Sequence, residues 1–174
     1  MSGIVVLGLG NPLMGDDGVG VVGLFELERL FDIPDDVERL DGGVLGLQLL
    51  GRVEGADRLL VMDAVSARQP PGSVMRLELE QIQQVLAHKM SMHQVGFSEV
   101  LAAASIRGQR PPHLMVIGVQ PANVAPGLGL SEEVAASMTV FVETAATELA
   151  DWGVALERRS SPEAVLDWES VLHA

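Results

Sequence analysis

Ile4-Val5-Val6-Leu7-Gly8-Leu9-Gly10-Asn11-Pro12-Leu13-Met14-Gly15-Asp16-Asp17-Gly18-Val19-Gly20 is the stretch on which the fold turns. Its first six residues are apolar or Gly without alternation. A strand buried on both faces has that pattern, and such strands sit in parallel sheets. A turn of Gly, Asn and Pro follows. Asp16 and Asp17 then stand at the mouth of a segment in which Val19, Val22, Leu24, Leu27 and Leu30 recur near helical spacing. In open α/β sheets, ligands bind beyond the carboxyl ends of the strands. The paired carboxylates therefore occupy the place where such folds do chemistry. They also suit the N-cap of the helix that follows, and both readings stay open.

Two further apolar runs repeat the signal. Leu59-Leu60-Val61-Met62 ends in Asp63, and Leu114-Met115-Val116-Ile117-Gly118-Val119 ends before a Pro- and Gly-rich loop over 120–129. Before the first of these, Val37 to Leu40 forms a short strand that ends in Asp41-Gly42-Gly43. Ser73 to Leu79 alternates imperfectly, as an edge strand does. Helices are expected over 45–53, 80–88, 97–106 and from Ser131, a capping residue, to about Trp152. Ser91 to Gly96 interrupts the pattern and leaves His93 in a loop. Strands alternating with helices predict a three-layer α/β/α sandwich around a mainly parallel, twisted sheet of about five strands. One domain is expected over 1–153. Residues 154–174 form a tail in which 158–162 is linker-like and Glu163 to Leu172 suits one short helix.

With 174 residues, a single domain buries roughly 70% of its unfolded surface and needs no staple. Aromatic residues make up only 3%, so aliphatic side chains fill the core. There is no Cys, which excludes disulfides, a thiol nucleophile and thiolate metal ligands. A formal net charge of −13 repels phosphate backbones, so nucleic acid is not an expected partner. No run reaches a membrane span, and no basic segment precedes the first apolar run. A cytoplasmic protein is expected.

Several catalytic motifs are absent. There is no His-Glu-x-x-His, no Gly-x-Ser-x-Gly and no phosphate-binding Gly-x-x-x-x-Gly-Lys-Ser/Thr. Gly8-Leu9-Gly10 begins a dinucleotide fingerprint, but Leu13 replaces its third Gly. What remains is a set of donors at loop ends: Asp16, Asp17, Asp41, Asp63 and His93. Carboxylates from different parallel strands converge on one crevice, and with an imidazole they suit a divalent transition metal. Asp41 is equally well placed to form its own turn.

Four motifs in order resemble the hydrogenase maturation endopeptidases, which process the large subunit of nickel–iron hydrogenases. They are Gly8-Leu9-Gly10-Asn11-Pro12-Leu13 leading to Gly15-Asp16-Asp17-Gly18-Val19-Gly20; Leu40-Asp41-Gly42-Gly43 with Gly46; Asp63-Ala64-Val65; and His93-Gln94 with Gly96 and Leu101. The resemblance spans about residues 4–150 and implies the same α/β/α sandwich. It implies an endopeptidase that removes a C-terminal peptide from the nickel-loaded large-subunit precursor. Asp17, Asp63 and His93 map onto its catalytic and metal-binding residues, and Asp41-Gly42-Gly43 onto its substrate-facing loop. The nickel is that of the precursor, or another divalent cation in its place. The partner is the precursor, with neither nucleic acid nor membrane involved, and the protein is expected to be a monomer. Many members carry Glu where Asp17 stands, and Asp is shorter by one C–C bond, roughly 1.5 Å. Either the loop sits closer, or the metal is held more loosely, or Asp16 is a secondary candidate ligand. A non-catalytic checkpoint for the same precursor is the alternative reading.

Overall fold

Continuous apolar runs become the middle of the sheet because both of their faces find a cover. A computed structural model describes the backbone of residues 3–86 and 92–162, and the side chains of these except 83–86 and 92–95. In chain order the elements are β1 (Ile4–Leu9), α1 (Val19–Leu30), β2 (Phe31–Asp32), β3 (Val37–Gly43), α2 (Leu50–Glu54), β4 (Arg58–Ala64), β5 (Val74–Glu78), α3 (Leu79–Leu86), α4 (Met92–Ile106), β6 (His113–Val119), α5 (Glu132–Asp151) and β7 (Glu157–Arg158). Short 3-10 turns, Gly15–Gly18 and Gly46–Leu49, lead into α1 and α2.

The main sheet has the order β3-β1-β4-β6-β5. The first four strands are parallel, and β5 closes the edge antiparallel to β6. From β1 the chain crosses to β3 on one side, then back to β4 on the other. The direction of winding therefore reverses between β1 and β4, which is where doubly wound sheets open a crevice at their carboxyl ends. Alternate side chains feed two cores. Val6, Leu60, Met62 and Ile117 meet α1 and α5 through Leu24, Leu27, Phe141 and Leu149. Leu7, Leu59, Val61 and Val116 meet the other face through Val53, Ile82, Phe97 and Val100.

The structure departs from the sequence reading in four places. Neither Asp16 nor Asp17 caps α1; Gly18 is its N-cap, without a side-chain cap. β3 runs on through Asp41-Gly42-Gly43 because Gly8 and Leu9 of β1 continue to pair with it across a bulge. His93 lies in the first turn of α4 rather than in a loop. Arg158 is not linker: β7 pairs antiparallel with β2, Arg158 lies over the Phe31 ring at 5.0 Å, and Val154 joins the core. The helix expected over Glu163 to Leu172 lies outside the described residues. Ser131 caps α5 as expected, its hydroxyl accepting from the Val134 N–H.

Candidate active site

Two glycines let the loop after β1 and the start of α1 close down on the carboxyl ends of β1 and β4. Gly20, at the start of α1, packs so close that a Cβ there would lie 2.1 Å from the Met62 carbonyl and 2.4 Å from that of Leu9. Asp17 stands one turn before Gly20, and Asp63 immediately follows Met62. Gly10 has φ +118°, a conformation that costs glycine little, and a Cβ on it would meet the Asp17 carbonyl at 1.8 Å. These contacts explain the run of glycines around the paired acids. They bring the start of α1 onto the carboxyl ends of β1 and β4, at the point where the winding reverses.

Both carboxylates are more than nine-tenths buried, Asp17 at 7% and Asp63 at 5% exposure. The Asn11 N–H donates to Asp17 Oδ2 at 3.0 Å. The Ala64 N–H donates to Asp63 Oδ1 at 2.8 Å. Alternation along β4 turns Asp63 to the same face as Leu59 and Val61, the face that α4 covers. His93 lies in the first turn of that helix; its side chain is outside the described residues. Gly46 and Gly96 seat the start of α4 against the loop after β3, for a Cβ on Gly96 would lie 3.1 Å from the Gly46 Cα. Among the described residues, no group of three His, Cys, Asp or Glu is placed to hold a metal ion.

Asp16 and Asp17 are neighbours with different surroundings. Asp16 is fully buried. Its Oδ2 accepts from the Ala122 N–H at 2.8 Å, the Asn123 N–H at 2.9 Å and the Ser131 hydroxyl at 2.9 Å. Its Oδ1 accepts from the Ser131 N–H at 2.7 Å. Burial pushes this carboxyl up, but the donors from Ser131, Asn123 and Ala122 together hold it below the usual carboxylate range. A carboxylate has about four lone-pair sites, so four donors leave it little with which to hold a cation.

Asp41 pairs with Gly8 in the sheet, and its Oδ1 accepts from the Gly43 N–H at 3.0 Å. Although its side chain is reached by solvent, desolvation by the surrounding protein pushes its carboxyl above the usual carboxylate range, and the Gly43 N–H offsets only part of this. Gly42 turns inward, where a Cβ would lie 2.5 Å from Leu7 Cδ1. The Gly10 N–H donates to the Gly43 carbonyl, tying the loops after β1 and β3. Around this mouth Leu13, Val44, Leu45, Leu47, Val124 and Leu128 are exposed. That apolar rim is missed by sequence reasoning, because it comes from three loops far apart in the chain.

The hydrogenase maturation protease family model, HycI, matches residues 24–148. The chain belongs to the hydrogenase maturation protease family. The hydrogenase 2 maturation protease of Escherichia coli K12 is 38% identical over 152 residues, 87% of this chain and 93% of that protein. The hydrogenase expression/formation protein HupD of Bradyrhizobium diazoefficiens is 41% identical over 161 residues, 91% of this chain and 84% of its own. Among solved structures, the hydrogenase maturating endopeptidase HybD from E. coli superposes with a TM-score of 0.86 at 37% identity, covering 92% of this chain and 99% of that one. The expected endopeptidase and the expected α/β sandwich both stand with this membership. The maturation-protease relationship extends across the Asp63 strand, α4 and most of α5, since the matched residues run to 148. No helix among the described residues is long and apolar enough to cross a membrane.

Proposed function

We propose that this chain removes a C-terminal peptide from the nickel-loaded precursor of a nickel–iron hydrogenase large subunit, using Asp17, Asp63 and His93. The observation that supports the reading is a buried carboxylate just before the start of α1 and another at the carboxyl end of β4, where Gly20 packs on the Met62 and Leu9 carbonyls, in a member of this family. Two carboxylates and an imidazole form a mixed hard and borderline set that fits a divalent transition metal. Asp17 rather than Asp16 is the ligand from the first loop, because Asp16 is engaged by four donors from the chain itself.

Nickel carried in by the precursor supplies a Lewis acid beside the scissile carbonyl or a water. The protein's own part is to hold and orient. The Asn11 and Ala64 N–H groups fix one oxygen each of Asp17 and Asp63. A crevice carboxylate takes the proton from the attacking water and returns it to the leaving amine. With no Cys and no nucleophilic Ser motif, attack by water directly on the peptide is the favoured course. The apolar rim around the mouth docks an apolar face of the precursor, and the Asp41-Gly42-Gly43 turn faces the segment to be cut. Cytoplasmic processing suits a chain without cysteines.

The test is to incubate the purified chain with nickel-loaded and with nickel-free precursor and to follow the precursor's mass. Loss of a C-terminal peptide from the loaded form alone is the expected result. Binding to the loaded form without a change in mass would make the chain a checkpoint rather than a protease. Indifference to both forms would overturn the reading.

A further inference from the structure

We infer that Asp16 is a positioning residue, a clasp that fastens the loop between β6 and α5 to the 3-10 turn and thereby sets Asp17. The inference rests on the reading of Asp17 above. The loop over 120–131 is Pro- and Gly-rich and carries no regular element. What fixes it to the front of the molecule is a cluster of bonds to residues 13–16. Besides the four donors to the Asp16 carboxylate, the Asp16 N–H donates to the Asn123 carbonyl at 2.9 Å. The Gly15 N–H donates to the Gly127 carbonyl, and the Gly127 N–H to that of Leu13, each at 2.9 Å. Met14 and Gly127 form an isolated parallel bridge.

Three of the four groups aimed at Asp16 are backbone N–H donors that would be costly to leave unpaired in a buried site. The carboxylate is thus the one side chain that collects Ala122, Asn123 and the cap of α5 into a single point. Asp17 follows it directly. On its other side Asp17 is met by the Gly10 backbone and by the Asn11 N–H. Its carboxylate is therefore held between two fastenings, the β1 turn and the Asp16 clasp. Loosening either one lets the turn rotate and moves Asp17 away from Asp63. Asp16 needs no contact with substrate to do this.

The variants are Asp16→Ala, which removes every acceptor, and Asp16→Asn, which keeps one oxygen for the donors on Oδ2 and sets an amide against the Ser131 N–H. Full-length variants are compared for processing of nickel-loaded precursor, for amide hydrogen exchange and for thermal midpoint. Asp16→Ala is expected to lower kcat by about 100-fold, the cost of a displacement near 1 Å, with KM altered by no more than about threefold. Protection of the Asn11 amide, which reports the position of Asp17, should fall by about tenfold along with that of Ala122 and Asn123. Asp16→Asn should give a partial rescue of both readouts. Should Asp16→Ala not fold, Asp16→Asn alone decides, with losses in kcat and Asn11 protection expected. The inference is overturned if Ala122 and Asn123 lose protection while Asn11 keeps it, for the clasp would then only fasten a loop. Unchanged Asn11 protection in Asp16→Asn, with unchanged kcat, overturns it too. The exchange readout decides this without cleavage, whereas failure of the unmodified chain to cut the precursor would sink the reading of function instead.

Discussion

Gly96→Ala tests how tightly the crevice is dimensioned. The added methyl would lie 3.1 Å from the Gly46 Cα, so α4 and the loop after β3 must part by a few tenths of an ångström. Replacing Gly by Ala inside a helix stabilises by about 1 kcal/mol, whereas overpacking costs about 1–3 kcal/mol. The net cost is therefore roughly 0–2 kcal/mol. At about 2–4 °C per kcal/mol for a domain of this size, the thermal midpoint should fall by no more than about 8 °C. With His93 as the proposed metal ligand, the site is less forgiving, since metal–ligand distances tolerate only about 0.2 Å. The turn that carries His93 lies immediately before Gly96, so the same few tenths exceed that tolerance. A drop in kcat of about tenfold, or 1.4 kcal/mol of barrier, is expected, in a protein that melts only slightly early. Gly51→Ala is the control, because nothing lies within 4 Å of its added methyl; it should leave processing unchanged. A Gly96→Ala protein that is more stable than its parent and cuts at the parental rate would refute the reasoning, for the helix crossing would then have slack.

Asp63→Asn should abolish processing and leave the circular dichroism spectrum intact, since an amide oxygen still accepts from the Ala64 N–H; full cleavage of loaded precursor would remove Asp63 from the site. Acid should reveal Asp16. Its folded pKa lies below the 3.8 of the unfolded chain, so the unfolded state binds more protons between the two values. The contribution is full above 3.8 and is lost as pH falls through the folded value. Urea midpoints measured at successive pH values should therefore fall less steeply on the acid side in Asp16→Asn than in the parent, and parallel slopes would deny the linkage. On the rim, Leu47→Asp should raise KM for precursor by about tenfold, a little over 1 kcal/mol of lost docking, without moving the thermal midpoint. An unchanged KM would place the precursor elsewhere.

The three central strands were legible because burial on both faces leaves a run of apolar residues without alternation, and β1, β4 and β6 fell where those runs lie. Other features depend on partners that leave no local mark. β3 is longer than its apolar part because β1 beside it supplies bonding groups as far as Leu9. β2 and β7 have two residues each, too few for any periodicity. The difference between Asp16 and Asp17 was invisible for a sharper reason. Three of the four donors that engage Asp16 are main-chain N–H groups, more than a hundred residues away, and every residue except Pro carries one. His93 was misplaced by one helix boundary, since α4 begins at Met92, in front of the Gly96 that looked like a break. There Gly is demanded by the approach of Gly46, and its low helical propensity is overridden.

The placement of β1 has a consequence for assembly. β1 precedes both of its sheet neighbours, β3 and β4, in the chain and lies between them, with no hairpin partner. Parallel pairing must wait for each crossover to be completed, which delays folding. Asp16 precedes its buttress at Ser131 by 115 residues. Asp16 therefore gains the last of its donors only when the start of α5 has been made, after β1, β3, β4 and β6.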